Sequence, residues 1–276
     1  MLKQIMIAHD LSPAAEVALA RAAQLAQQHQ ARLIVTHCLS APSNSATSHD
    51  LAAIKQQITQ RLQAQLTQLA SHPATVEWVV KAGQPSIKLA ELVRAYSVDL
   101  LVVGQHHQAS PEGFSGTTLE HLLQKIKVPV LLAVEPVSDN YQRSLIAMDF
   151  SQTASRALQQ LIKLISADTQ VTALHICEMA EQQLTAAARS ELEWQQQLFA
   201  QLIQDGCAGL ALAATRIEQR VVQGELYNCL EQALQQIQPQ LLALGRHGRG
   251  EMADALLGSL THSLLAAPPC DLLVVS

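Results

Sequence analysis

"IMIAHDLSPAAEVAL", residues 5–19, recurs as "LIAMDFSQTASRAL", residues 145–158, and that repetition decides the fold. The alignment sets Asp10 on Asp149, Ser12 on Ser151 and Leu19 on Leu158, an offset of 139. Outward from this stretch the echo continues. "LIVTHC" pairs with "TALHIC", setting His37 on His175 at an offset of 138. "VEWVVKAG" pairs with "IEQRVVQG" and "VDLLVVG" with "PQLLALG", setting Gly83 on Gly224 and Gly104 on Gly245 at offsets of 141. Offsets that drift by so little mean two copies of one unit with small loop insertions. "EPVSDNYQR", 135–143, groups Pro136, Ser138, Asp139 and Asn140 and reads as the linker. The expected domains are residues 1–137 and 141–276.

Each copy alternates short β-branched runs with longer helical patterns. In the first copy strands are expected at 3–9, 32–38, 75–81, 98–104 and 128–134, and helices near 13–29, 50–70, 85–96 and 117–126. Strand, helix, strand, helix requires parallel pairing, because parallel neighbours need a crossover. Runs such as "DLLVVG" are apolar throughout, as strands covered by helices on both faces must be. Ser12 followed by Pro13 makes a helix start, serine as the cap and proline at the first helical position. The predicted architecture is α/β: two tandem, open, doubly wound parallel-sheet domains. Each copy also ends in an apolar strand, "VPVLLAV" and "CDLLVVS", whose edge needs cover, so the copies are expected to pack about a pseudo-two-fold axis as an intrachain pseudo-dimer. Ligands of such sheets sit beyond the carboxyl ends of the strands. That rule places Asp10, His37 and Gly104 around one crevice, and Asp149, His175 and Gly245 around the other.

Composition narrows the partners. With 49% hydrophobic and 15% charged residues over 276 positions, the chain can bury two ordinary cores. A net charge of −5 with scattered basic residues leaves no footprint for nucleic acid or an anionic membrane. No apolar run approaches the about 20 residues of a membrane span, and the N-terminus reads as a strand rather than a signal peptide. Cys38, Cys177, Cys207, Cys229 and Cys270 are odd in number and widely spaced, so neither a disulfide framework nor a zinc site is expected, and the protein is expected in the cytoplasm.

Chemistry concentrates in "GRHGRGEMADALLGS", residues 245–259, which holds Gly245, Gly248, Gly250 and Gly258 of only 11 glycines in the chain. A glycine-rich loop running from a strand end to a helix start can turn its N–H groups inward, and the helix adds the positive end of its dipole. Together these make a phosphate cradle, with Ser259 adding a hydroxyl and Arg246, His247 and Arg249 raising the local potential. The stretch contains no lysine and orders its glycines G-x-x-G-x-G, so it is neither a P-loop nor a dinucleotide fingerprint.

The spacing G-x2-G-x9-G-[ST], met by Gly245, Gly248, Gly258 and Ser259, resembles the ATP-binding signature of the universal stress proteins. Both halves also carry the first-strand aspartate and the "DLLVVG" type of fourth strand, so the resemblance spans nearly the whole chain and is to tandem, two-domain members. It implies an adenine nucleotide alpha hydrolase-like fold. It implies that Asp149 and the main chain around Ile176 contact adenine, while Gly245, Gly248, Gly258, Ser259 and Leu260 wrap the ribose and phosphates. The implied ligand is ATP, with AMP or ADP as alternatives, and Mg riding on the phosphates; Asp254 is the nearest carboxylate in sequence and reads as a solvated loop residue. No catalytic carboxylate pair or nucleophile accompanies the glycines, so a stress-response binding and regulatory module with an unknown protein partner is the leading reading. The alternative is a slow ATP hydrolase using His247 or Asp254. Association of two chains into a homodimer is left open.

The first half departs from the signature. His107 stands where Gly248 does, and Pro111 and Glu112 interrupt a loop one residue shorter on its way to Gly116 and Thr117. One ATP per chain, in the second half, is therefore expected. His9, His37, His106 and His107 gather at strand ends of the first crevice, which leaves open a different small ligand or a metal there. Glu77 and Glu218 align as well, and read as surface residues on a strand.

Overall fold

A computed structural model describes residues 1–39, 48–105, 118–178, 186–210, 216–248 and 257–276. The chain divides into two compact units, Met1–Ser138 and Asp139–Ser276.

The first unit runs β1 (Gln4–Ala8), α1 (Pro13–His29), β2 (Arg32–Leu39), α2 (Ser48–Thr67), β3 (Val76–Ala82), α3 (Pro85–Ala95), β4 (Leu100–Gly104), α4 (Thr118–Lys125) and β5 (Val130–Ala133). Its strands are parallel in the order β3-β2-β1-β4-β5. The second unit runs β6 (Arg143–Ala147), α5 (Gln152–Leu164), β7 (Gln170–Cys177), α6 (Ala186–Cys207), β8 (Ile217–Gln223), α7 (Leu226–Ile237), β9 (Leu241–Gly245), α8 (Ser259–Ala266) and β10 (Asp271–Val275). Its order, β8-β7-β6-β9-β10, repeats the first, again with every pair parallel. Two tandem, doubly wound parallel α/β units are thus what the alternation of strand and helix patterns dictated.

The central strands are apolar throughout because helices cover both faces. Ile5, Met6 and Ile7 of β1 and Leu145 and Ile146 of β6 are wholly buried. The helices against them start where the sequence marks them: the Ser12 hydroxyl accepts the Ala15 N–H at 3.2 Å, and the Ser151 hydroxyl accepts the Ala154 N–H at 3.1 Å. Such caps contribute about 1 kcal/mol each.

Register carries the repeat into three dimensions. Ala8 pairs with Thr36 as Ala147 pairs with Leu174. Beyond each pair the His9 N–H donates to the Thr36 carbonyl at 2.8 Å, and the Met148 N–H to the Leu174 carbonyl at 2.9 Å. His9 and Met148 are therefore equivalent positions, as are Thr36 and Leu174. No described helix is long and apolar enough to cross a membrane.

Candidate functional site

The carboxyl ends of β6, β7 and β9 in the second unit open into a cleft of about 690 Å³. Asp149, Ile176, Gly245, Gly248, Gly258, Ser259 and Leu260 all line it. Topology brings them together: β6 ends at Ala147, two residues before Asp149, β7 carries Ile176, β9 ends on Gly245, and α8 begins at Ser259. The volume falls within the usual range for a small-molecule site, roughly 300–1,000 Å³. Met148, Leu174, Leu192, Leu226 and Leu244 give it apolar walls.

Gly245 has a structural reason beyond the cleft. A β-carbon there would stand 2.8 Å from Thr153 Oγ1 and 2.9 Å from Thr153 Cβ, so only glycine lets the first turn of α5 close on the strand end. Thr153 then donates its hydroxyl to the His247 carbonyl at 2.7 Å, tying that turn to the loop. Gly104 holds the same place in the first unit more tightly, with the Ala14 carbonyl oxygen 2.5 Å from where Cβ would be. Gly248 lies against the Asp149 carboxylate: its β-carbon would come 3.2 Å from Oδ2. The other oxygen of Asp149 accepts the Ser151 N–H at 3.0 Å, which fixes the carboxylate at the mouth of the cleft.

The start of α8, like that of α3 at Gln84, has no side-chain cap. Gly258 is its N-cap and offers no side-chain acceptor, whereas α1, α5 and α7 are capped by Ser12, Ser151 and Glu225. The His262 N–H is the first to find an intrahelical acceptor, the Gly258 carbonyl at 2.9 Å. The amides of Ser259 and Leu260 therefore open toward the cleft without an intrahelical carbonyl, at the positive end of the helix dipole. The loop before them is pinned from behind. The Gly258 N–H donates to the Arg246 carbonyl at 3.1 Å, and the Thr261 hydroxyl reaches the Gly245 carbonyl at 3.2 Å. Burial pulls the Arg246 guanidinium below its ordinary value.

His175 organises the opposite wall. Its Nδ1 pairs with the Met148 carbonyl at 2.8 Å and its Nε2 with Gln195 Oε1 at 3.2 Å, while Gln195 donates to Glu191 at 2.9 Å. The ring meets Phe150 edge-on, 4.6 Å between centroids, and lies 5.6 Å from Phe199. This packing holds the β7 backbone at Ile176 in place. Leu192, Gln195 and Glu191 of α6 line the cleft too, and nothing in the sequence marked them. Their helical period fixes a shared face, but which face meets the cleft follows from how α6 packs on α5 and β8.

Arg249, Gly250, Asp254, His106, His107, Pro111, Glu112, Gly116 and Thr117 lie outside the described residues. His37 pairs through Nδ1 with the His9 carbonyl at 2.6 Å, the counterpart of the His175 contact. No three His, Cys, Asp or Glu side chains among the described residues come together as a metal site. Glu77 takes the Tyr96 hydroxyl at 2.7 Å and pairs with Arg32, and Glu218 pairs with Arg220 at 2.8 Å. The hydrogen bond from Arg220 holds the Glu218 carboxyl below its usual range. Both glutamates tie neighbouring side chains together at the sheet, away from the cleft.

An open parallel α/β unit, present twice in one chain and with a glycine-lined cleft at the strand ends of the second copy, defines a class; comparison with known proteins gives the family. The profile of the universal stress protein family matches residues 1–133 and again 140–276. A universal stress protein A homolog of Pasteurella multocida is 28% identical over 144 residues, covering 50% of this chain and 99% of the relative. A homolog of the same name from Haemophilus influenzae is 28% identical over 145 residues, with the same coverage. Across the full length, the crystal structure of a universal stress protein from Archaeoglobus fulgidus superposes with a TM-score of 0.72 at 17% identity, covering 99% of this chain and 98% of that one. The chain belongs to the universal stress protein family, and each of the two curated relatives has the length of one of its units.

Proposed function

We propose that the second unit binds an adenine nucleotide in this cleft, with ATP as the ligand, and that the protein acts as a nucleotide-dependent binding module of the stress response. One observation carries the reading: the uncapped amides of α8 open into the same cleft as Asp149, Gly248 and an apolar wall of Met148, Leu174 and Leu192. A helix N-terminus with free amides suits phosphate, and apolar walls with one carboxylate at the rim suit a base bearing an amino group. Mg would ride on the nucleotide's phosphates. The five cysteines are all free thiols, in keeping with a cytoplasmic protein.

Calorimetric titration with ATP tests the reading, with one equivalent per chain as the expected result. Phosphate release under excess ATP separates a binder from a hydrolase: a binder stays flat after at most one equivalent, and continued turnover would move the protein to the enzymes. Two equivalents bound, or none, would overturn the assignment to the second unit.

A further inference from the structure

At the amino ends of β6, β7 and β8, the second unit carries a separate groove of about 390 Å³. Arg143 of β6, Arg216 just before β8 and Arg220 of β8 line it, together with Thr172, Glu218 and Gln236. The register sets Arg143 opposite Gln170 and Thr172 opposite Glu218. Side chains alternate along a strand, so Arg143, Thr172, Glu218 and Arg220 share one face of the sheet. On that face the Thr172 hydroxyl donates to Glu218 Oε2 at 3.1 Å, and Arg220 Nη1 donates to Gln236 Oε1 of α7 at 3.2 Å.

Charge in the groove is unbalanced. Three guanidiniums meet one carboxylate, a surplus of two positive charges in a chain whose net charge is −5. Glu218 is already engaged: Oε1 accepts from Arg220 Nε at 2.8 Å and Oε2 from Thr172, and the Arg220 bond keeps the carboxyl below its usual range. Arg143 gives its Nε to the Ile237 and Gln238 carbonyls at 3.1 and 3.0 Å, so the negative end of α7 is met by a cation. Its two terminal nitrogens remain. Arg216 is exposed and makes no hydrogen bond or ion pair among the described residues.

The repeat shows that the fold does not require these cations. Their equivalents in the first unit are Gln4, Thr75 and Val79, and the glutamate aligned with Glu218, Glu77, is met there by Arg32 and Tyr96. Like charges brought together repel, a cost that an anionic ligand removes. Guanidinium forks match the oxygens of a phosphate group bidentately, and a phosphate's two charges equal the surplus.

We infer that this groove is a second ligand site on the same unit, taking a small phosphate-bearing anion of two or more charges, held by Arg143, Arg216 and Arg220. The inference goes beyond the nucleotide reading and does not rest on it. Groove and cleft stand at opposite ends of the same three strands: Arg143, Thr172 and Arg220 line the one, Ala147, Ile176 and Gln223 the other.

Two probes test the site, inorganic pyrophosphate and glycerol 3-phosphate, each titrated at fixed ionic strength into the full-length protein labelled with 15N-arginine. The Nε–H groups of Arg143 and Arg220 are hydrogen-bonded and serve as reporters. Both are expected to shift saturably. Tighter binding of pyrophosphate names a diphosphate as the source and tighter binding of glycerol 3-phosphate a phosphate monoester; either supports the site. Arg216→Gln breaks no internal contact, so it is expected to fold and bind ATP as the parent does while weakening the probe by about 10-fold or more. Arg216→Lys keeps the charge without the fork and is expected to fall between the two. Shifts that fail to saturate, shifts that sodium chloride of the same ionic strength reproduces, or an unaltered affinity in Arg216→Gln would each overturn the site. Gly258→Val keeps the two readings apart. Arginine shifts that persist in that variant support the groove, and their loss would overturn it by placing the phosphate at the cleft. Absence of ATP binding in the parent with the arginine shifts present removes only the nucleotide reading.

Discussion

The two units share strand order, register and the strand-end hydrogen bonds, yet the side chains at equivalent strand tips are chemically opposite. Met148 and Leu174 present hydrocarbon in the second; His9 and Thr36 present an imidazole and a hydroxyl at the same places in the first. The contrast teaches that this sheet tolerates either chemistry at its strand tips, because the backbone there is already satisfied. The amide of residue 9 or 148 pairs with the adjacent strand whatever side chain it carries. The side chains at the strand tips can therefore diverge between copies without disturbing the fold.

The largest expected effect breaks the second unit's side of the contrast. Gly258→Val adds bulk at the cap of α8 and is expected to cost at least ~3 kcal/mol of ATP binding, if two or more charge-assisted hydrogen bonds fail. Calorimetry reads this directly. Gly116→Val, the matching change in the first half, is expected to leave ATP affinity unchanged, and equal losses from both would show two working cradles.

Acid should break the first unit's side. With His9 at about 4 in the folded state and near 6.5 when unfolded, the unfolded chain binds the extra proton between these values. Stability of the first unit should therefore fall as pH drops from about 6.5 to 4, by up to about 3 kcal/mol in total. His9→Met should remove that slope, and denaturant titrations across the window compare the two proteins. An unchanged slope in the variant would place the proton elsewhere.

A finer comparison concerns the paired strand-end glycines. Gly104→Ala drives a methyl group against the backbone of Ala14, which cannot rotate away, and should cost about 3 kcal/mol in urea unfolding. Gly245→Ala meets the Thr153 hydroxyl, β-carbon and backbone at slightly longer distances, 2.8, 2.9 and 3.0 Å, and should cost less, about 2 kcal/mol. The smallest effects are expected at the caps. Ser12→Ala and Ser151→Ala should each cost about 1 kcal/mol and should agree closely, since the two hydroxyls make the same bond. A clear disagreement between them would show that the α1 and α5 starts are less alike than their hydrogen bonds.

By itself the sequence determined the double α/β architecture, because periodicity, the repeat and the Ser-Pro helix start are local signals that parallel pairing leaves little freedom to reinterpret. It also determined that Asp149, Gly245 and Gly258 meet at one end of the second sheet, since they follow strand tips and mark a helix start and an open parallel sheet gathers its strand tips at one end; Ile176 follows only from the family resemblance. Tertiary structure alone decided the rest. Leu192 and Gln195 reach the cleft because α6 turns that face inward, a matter of packing that glutamine-rich helices do not announce. Gly245 owes its missing β-carbon to the approach of Thr153, a contact 92 positions away in sequence. His9 reads as one more histidine in a cluster until burial, the Leu11 amide and the Thr36 carbonyl are seen together. Whether a polar atom is satisfied depends on every neighbour it has in space, and sequence specifies only two of those.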